Sequence, residues 1–377
     1  MKSYDLLSCV WEITLKCNLK CVHCGSAAGK NRENELTDEE SLNLCEDIKK
    51  TGCKSLALMG GEPLLRRNFW DISKKIKDLK MDLCVITNGT IYEEDFFRRF
   101  KSLNLQALAT SLDGSNSDTH DGIRGVKGSF DKTLKFMEKA LGYDLPLSVI
   151  TTVSKRNISE LNEIKKIIKG RKIAWQIQIA GAEGNRFDRK EVLNEEEFYS
   201  VGLFIETMRR NYGVEELPVI GAHDLGYNSC LIKNIWLYEK WPGCQAGTSV
   251  VGIRSNGDVL GCLSINNDSF IEGNIRDKSL YEIWNSEKAF SYTRNFKMED
   301  AGENCKECKF IGECKGGCSE MSLTYTGKIH NDPYCFYKIE KKNFGFWKRL
   351  FYSFGTYLNK SQKDKAILNK LFSGVRK

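Results

Sequence analysis

Cys17, Cys21 and Cys24 stand in the stretch "TLKCNLKCVHCGSAAG", residues 14–29, with the spacing Cys-x3-Cys-x2-Cys, and the next cysteine is Cys45. Metal sites that only brace a fold close their shell with four protein ligands. Three thiolates hold three corners of a [4Fe-4S] cube and leave one iron open to an outside ligand, which makes it a reaction site. A zinc site of Cys17, Cys21, Cys24 and His23 is the competing reading, although the adjacent residues His23 and Cys24 would have to reach one ion together. A second collection comes late in the chain: Cys230, then "CQAGTSVVGIRSNGDVLGC" with Cys244, Gly257 and Cys262, then "CKECKFIGECKGGC" with Cys305, Cys308, Cys314 and Cys318, and finally Cys335. A zinc ribbon on Cys305, Cys308, Cys314 and Cys318 competes with iron-sulfur ligation there. Cys9, Cys45, Cys53 and Cys84 fall within strand or helix patterns and read as small core residues.

Composition says which environment these thiols occupy. The 377 residues hold no apolar run near a membrane span of about 18 and no charged-then-apolar leader, which points to the cytoplasm. Thiols stay reduced there, so 15 cysteines argue for metal ligation over a disulfide framework. A formal charge of +7 is mild for this size and calls for neither nucleic acid nor membrane as a partner. Part of that excess lies in residues 341–377, where Lys and Arg alternate with aromatic and aliphatic residues. The pattern reads as a basic amphipathic C-terminal helical tail packing on the body, with an anionic surface as the alternative contact.

The elements that must position these residues are strand-helix units. From residue 8 to 212, "SCVWEIT", "SLALM", "DLCVIT", "LQALATSL", "PLSVITTV" and "IAWQIQIA" alternate with helical patterns near 37–50, 68–79, 92–103, 129–141, 157–168 and 194–212. Thr37 with Glu40 three positions on looks like a capping box. Six such units imply a parallel sheet covered by helices, wrapped by right-handed crossovers into a partial (β/α)6 barrel. Ligands gather at the carboxyl ends of such strands. The three-cysteine loop, "GGEP" (60–63), "TNGT" (87–90) and "SLDG" (111–114) each follow a strand, so all four fall on one face. The texture changes past residue 228, which divides the chain into a barrel at 1–212, a linker at 213–227, a cysteine-rich domain at 228–340 and the tail at 341–377.

The three-cysteine spacing in the first loop, with "GGEP" after the second strand, resembles the radical S-adenosylmethionine enzymes. Cys244-x12-Gly257-x4-Cys262 followed by Cys305-x2-Cys308-x5-Cys314-x3-Cys318 and Cys335 resembles the SPASM extension of one branch. The resemblance runs from about residue 8 to 340. It implies S-adenosylmethionine chelated to the open iron, cleaved by one electron to a 5'-deoxyadenosyl radical that abstracts a hydrogen atom from the substrate, with the protein supplying position and excluding water. By similarity Gly60, Gly61, Glu62 and Pro63 meet the methionine ammonium, the glycines by close backbone approach and the carboxylate by its charge. Ser111 and Arg124 correspond to residues that hold the methionine carboxylate. Asp113, Thr87 and Asn88 border the cofactor in this reading or are ordinary turn residues. The resemblance also implies two auxiliary [4Fe-4S] clusters, three clusters in all: an outer one on Cys305, Cys308, Cys314 and Cys335, and an inner one on Cys244, Cys262 and Cys318. Cys230 would be the fourth inner ligand; otherwise that cluster keeps an open iron.

Relatives with the SPASM extension act mostly on peptides or proteins, so the first expectation is a peptide maturase. It would form an oxidative carbon-carbon or thioether crosslink in a ribosomally made precursor, with the auxiliary clusters accepting the electron. Sulfatase-modifying relatives carry an Asp base directly after the second cysteine of the Gly-x4-Cys element, where this chain has Leu263, which lowers that reading. The first ligand is already residue 17, so no N-terminal leader-binding domain is expected to fit, and the peptide would bind through a separate leader-binding protein, through the SPASM region or without a leader. A flavodoxin or ferredoxin would be the reductant, and the family's oxygen sensitivity implies an anaerobic host. The alternatives are a small-molecule oxidase of cofactor biosynthesis and a non-enzymatic cluster carrier, against which "GGEP" and Arg124 argue.

Overall fold

The structure is a computed structural model that describes residues 4–182, 184, 186–232, 235, 241 and 243–343, so the expected tail lies outside them from residue 344 onward. Six parallel strands carry the barrel: β1 Ser8–Thr14, β2 Ser55–Gly60, β3 Asp82–Thr87, β4 Ala107–Ser111, β5 Leu147–Val153 and β6 Ala174–Ile179. Along each strand every second side chain joins the helix-covered core, as Cys9, Trp11 and Ile13 do on β1 and Trp175, Ile177 and Ile179 on β6. The intervening residues, among them Met59, Ile86, Ser111, Ile150, Gln176 and Gln178, are half-buried on the concave face of the open barrel.

The helices that cover the sheet are α1 Asp38–Lys50, α2 Phe69–Asp78, α3 Glu94–Ser102, α4 Ser117–Arg124, α5 Ser129–Gly142, α6 Leu161–Ile168 and α7 Glu195–Asn211. Thr37 and Glu40 form the expected capping box on α1, and Asn194 with Glu197 forms a second on α7. Helix α4 carries no periodic signal in the sequence, because its polar stretch contains Gly122 and lacks a long apolar repeat. It starts on the Asn116 side chain, which accepts from the Thr119 N–H, and ends at Gly125 in the left-handed region at φ 70°.

The sheet does not stop at six strands. Val219–Gly221, inside the stretch expected as a linker, forms β7 and pairs in parallel with β6. At the other edge β8 Val250–Ile253 pairs in parallel with β1, and β9 Asp258–Leu260 and β10 Gly273–Asn274 follow antiparallel. Among the described residues the order is therefore β10-β9-β8-β1-β2-β3-β4-β5-β6-β7 in one sheet. The cysteine-rich region thus continues the barrel sheet through β8, fixing Cys244 and Cys262 relative to the first loop.

Candidate active site

Loop 14–29 hangs from the carboxyl end of β1, and polar contacts from distant parts of the chain shape it. Glu35 folds back to accept from the Leu15 N–H at 2.8 Å, the Asn31 side chain at 2.8 Å and the Arg32 N–H at 3.1 Å. Arg186, in the loop after β6, donates to the Cys21 carbonyl at 3.0 Å and the Ala28 carbonyl at 3.2 Å. Neither residue belongs to a recognisable motif; the reach of Glu35 back to Leu15 and of Arg186 to Cys21 and Ala28 are pairings that sequence alone does not display.

Each sulfur of the three-cysteine motif has a donor. The Leu19 N–H lies 3.4 Å from Cys17 Sγ, the Ala28 N–H 3.4 Å from Cys24 Sγ, and Arg124 Nη1 3.7 Å from Cys21 Sγ. None of the 15 cysteines is in a disulfide. Burial pushes the Cys17 thiol up to about 11 and raises that of Cys21 too, so loading a metal must expel their protons. His23, the alternative zinc ligand, turns Nε2 to within 3.6 Å of Asp113 Oδ2, and burial lowers its pKa to about 4.

The "GGEP" turn packs directly on this loop. A Cβ on Gly60 would lie 2.1 Å from the Thr14 carbonyl oxygen, and one on Gly61 2.3 Å from that of Lys16. The Gly61 and Glu62 N–H groups donate to the Thr14 and Lys16 carbonyls, each at 2.8 Å. Glycine is needed here for close approach of two backbones. Glu62 is fully buried, and its carboxylate accepts from the Thr87 hydroxyl at 2.8 Å, the Asn88 N–H at 2.8 Å and the Leu64 N–H at 3.1 Å. Burial raises its pKa to about 7 against those hydrogen bonds. The carboxylate is thus engaged in tying the second loop to the third, with Pro63 opening the short turn Pro63–Leu65 beside it. Asn88 links onward to Asn18 Oδ1 at 2.8 Å and lies 4.0 Å from Cys17 Sγ.

Arg124, at the end of α4, is almost fully buried and places Nη2 2.5 Å from Oδ2 of the wholly buried Asp113. Asp113 is fixed by the Thr152 N–H on Oδ1 at 2.8 Å and by Asn157, which donates to its carbonyl at 2.8 Å. It is an orienting partner for the guanidinium rather than a plain turn residue. Arg124 Nε is buried and has no hydrogen-bond partner in the chain. Ser111 ends β4 half-buried on the concave face. Three sulfurs with donors, a two-glycine turn at van der Waals limits and an unsatisfied guanidinium N–H fit a cluster with one open iron and an amino-acid ligand upon it.

The late cysteines separate into two sets. Cys305, Cys308, Cys314 and Cys335 line one cavity of about 160 Å³, and burial pushes Cys305 and Cys335 each up to about 12. Cys244, Cys262 and Cys318 form the second set: burial raises the thiols of Cys262, to about 11, and of Cys318, and the neighbouring Cys244 raises both further. Between the sets stands Asp332, whose Oδ2 accepts from the Tyr227 hydroxyl and from the Cys318 N–H at 3.2 Å. Cys230 is exposed, and its N–H donates to Glu340 Oε2 at 2.6 Å beside Ser229. A polar cleft of about 1010 Å³ opens beside the first loop, where Arg32, Arg189, Arg254, Asn34, Asn266 and Asp268 contribute to its lining. Arg32 is paired with Glu12 at 3.0 Å and Arg254 with Asp268 at 2.6 Å. Among the described residues no helix is long and apolar enough to cross a membrane.

Comparison with known proteins gives this geometry a setting. The profile of the Radical SAM superfamily matches residues 11–168, and that of the SPASM iron-sulfur cluster-binding domain matches residues 244–309. An AdoMet-dependent heme synthase from Methanosarcina barkeri (strain Fusaro) is 28% identical over 344 residues, covering 88% of this chain and 97% of that protein. The mycofactocin maturase MftC of Mycolicibacterium smegmatis is 26% identical over 331 residues, covering 86% of this chain and 80% of its own length. The crystal structure of Streptococcus suis SuiB bound to S-adenosylmethionine superposes with a TM-score of 0.69 at 17% identity, covering 88% of this chain and 76% of that one, which shows a shared fold.

Proposed function

Because the chain belongs to the radical SAM superfamily and carries an SPASM domain, we propose that this enzyme oxidises a ribosomally made peptide by two electrons, closing a carbon-carbon or thioether crosslink. The observation that carries the reading is the cleft beside the first loop. Small-molecule pockets are mostly apolar and enclosing, whereas this cleft is open and lined by arginines, asparagines and carboxylates together. Such a surface suits the many hydrogen-bonding groups of an extended polar chain.

In this reading Cys17, Cys21 and Cys24 hold the first cluster. The backbone of Gly60 and Gly61 faces the methionine ammonium, next to Pro63 and Asn88. Arg124, aimed by Asp113, holds the methionine carboxylate with Ser111. Glu62 keeps the second and third loops in register and leaves the ammonium to backbone carbonyls. Cys305, Cys308, Cys314 and Cys335 hold the outer auxiliary cluster, and Cys244, Cys262 and Cys318 hold the inner one, giving three [4Fe-4S] clusters. When bound, S-adenosylmethionine supplies a carbon-centred radical that takes the substrate hydrogen atom, and the auxiliary clusters supply an acceptor for the second electron. The reductant is a flavodoxin or ferredoxin.

A second reading, oxidation of a small molecule in cofactor biosynthesis, is favoured by the likeness to a heme synthase along 97% of that protein's length. One assay separates the two. The reduced, reconstituted enzyme is given S-adenosylmethionine and a peptide encoded beside its gene, and the peptide is expected to lose the mass of two hydrogens. Cleavage of S-adenosylmethionine with an unaltered peptide, together with consumption of a carboxylated macrocycle offered in its place, would sink the peptide reading.

A further inference from the structure

Cys244, Cys262 and Cys318 are three thiols where a closed cube takes four ligands. The expected fourth, Cys230, lies exposed beside Ser229 and Glu340. A different group closes on Cys318, which is buried at the start of the helix Ser319–Thr326. His223, just beyond β7, brings Nδ1 to 3.6 Å from Cys318 Sγ. Glu320, in the first turn of that helix, brings Oε2 to 4.0 Å. The ligand atoms of His223, Cys318 and Glu320 all lie within 4.8 Å of one another.

Glu320 is half-buried, so its carboxylate stands against the buried Cys318 sulfur with little water to screen the two. The barrel side leaves room for it: a Cβ on Gly181, just past β6, would come within 2.7 Å of Glu320 Oε1. A carboxylate beside a buried thiol is costly once that thiol ionises, because like charges in a poorly solvated site repel. A cationic iron shared by the carboxylate and the thiolate removes that cost. Carboxylate oxygen is an established ligand type for iron.

We infer that Glu320 supplies the fourth ligand of the inner auxiliary cluster, with His223 donating a hydrogen bond to the Cys318 sulfur, and that Cys230 is not a ligand. The inference rests on reading Cys244, Cys262 and Cys318 as a cluster site. The test uses anaerobically purified full-length protein in which Cys17, Cys21 and Cys24 are all changed to Ala, so that only the auxiliary sites contribute about eight irons. Into this parent are introduced Cys230→Ala, Glu320→Ala, Glu320→Cys and His223→Gln, and iron content and electron paramagnetic resonance spectra are recorded.

Cys230→Ala is expected to match the parent. Glu320→Ala is expected to lose about one iron per chain and to show the signal of a three-iron cluster after oxidation. Glu320→Cys is expected to restore the fourth iron with a spectrum shifted from the parent's, which a merely structural glutamate would not do. Loss of iron in Cys230→Ala, or a parent-like spectrum and iron content in Glu320→Ala, would overturn the inference. So would nitrogen hyperfine coupling on the cluster that disappears in His223→Gln, because it would give the position to the imidazole. A parent holding only about four irons would remove the inner cluster itself and the inference with it.

Discussion

Arg124→Ala is expected to lower stability by about 3–5 kcal/mol and to abolish measurable binding of S-adenosylmethionine. The first effect follows from the pair it breaks: Asp113 is fully buried, Arg124 Nη2 stands 2.5 Å from it, and removing one member of a buried pair leaves the other charge uncompensated. The second follows from the proposed hold of the guanidinium on the methionine carboxylate through groups such as the unpartnered Nε. The two effects can be separated. In a double variant, Arg124→Leu with Asp113→Asn, no buried charge remains, and the Asn oxygen can still accept from the Thr152 N–H, so most of the stability should return. Binding should not return, because no cation has been restored. Denaturant midpoints check the first effect and calorimetric titration with S-adenosylmethionine the second. A double variant that regained binding would remove Arg124 from the site, and an Arg124→Ala protein as stable as the wild type would remove the buried pair from the energetics.

Gly61→Ala is the second large effect. Its Cβ would stand 2.3 Å from the Lys16 oxygen, 2.5 Å from the Leu15 oxygen and 2.6 Å from the Lys16 carbonyl carbon, all backbone atoms that no rotamer change can move aside. The strand end at β2 and the loop after β1 must part, and Cys17 follows directly on Lys16. Overpacking of this kind costs about 1–3 kcal/mol, and the displaced loop should fail to retain its cluster, with a loss of about four irons. Gly29→Ala is the control in the same loop: nothing lies within 4 Å of its Cβ, so stability should change by less than about 0.5 kcal/mol and the iron should stay. Equal iron content in Gly61→Ala and the wild type would show that the close approach is not what seats the loop.

These two positions also show where sequence reasoning reached and where it ended. Strands β1–β6 and most of their helices were legible because alternation and helical periodicity are local signals. Gly60, Gly61 and Glu62 were legible as a motif, but their physical task was only half visible. The glycines also make room for the Thr14 and Lys16 carbonyls, and the glutamate turns inward to Thr87 and Asn88. Arg124 is legible in the sequence, yet the helix that carries it is not, since α4 is short, polar and set by a single Asn116 cap. The parallel pairing of β8 with β1, the reach of Arg186 to Cys21 and the meeting of His223 with Glu320 join segments far apart in the chain. No local pattern encodes such pairings; they follow from how the whole sheet assembles.

The central claim is that the first loop holds a cluster of its own, separate from the late cysteines, and that this cluster is where S-adenosylmethionine is cleaved. The most direct measurement is iron, sulfide and zinc content of anaerobically prepared wild type against the variant with Cys17, Cys21 and Cys24 all changed to Ala, alongside 5'-deoxyadenosine formed on reduction. The account predicts about twelve irons falling to about eight, with 5'-deoxyadenosine lost entirely and the auxiliary sites intact. Unchanged iron in the triple variant, or zinc near one or two per wild-type chain with little iron, would contradict it.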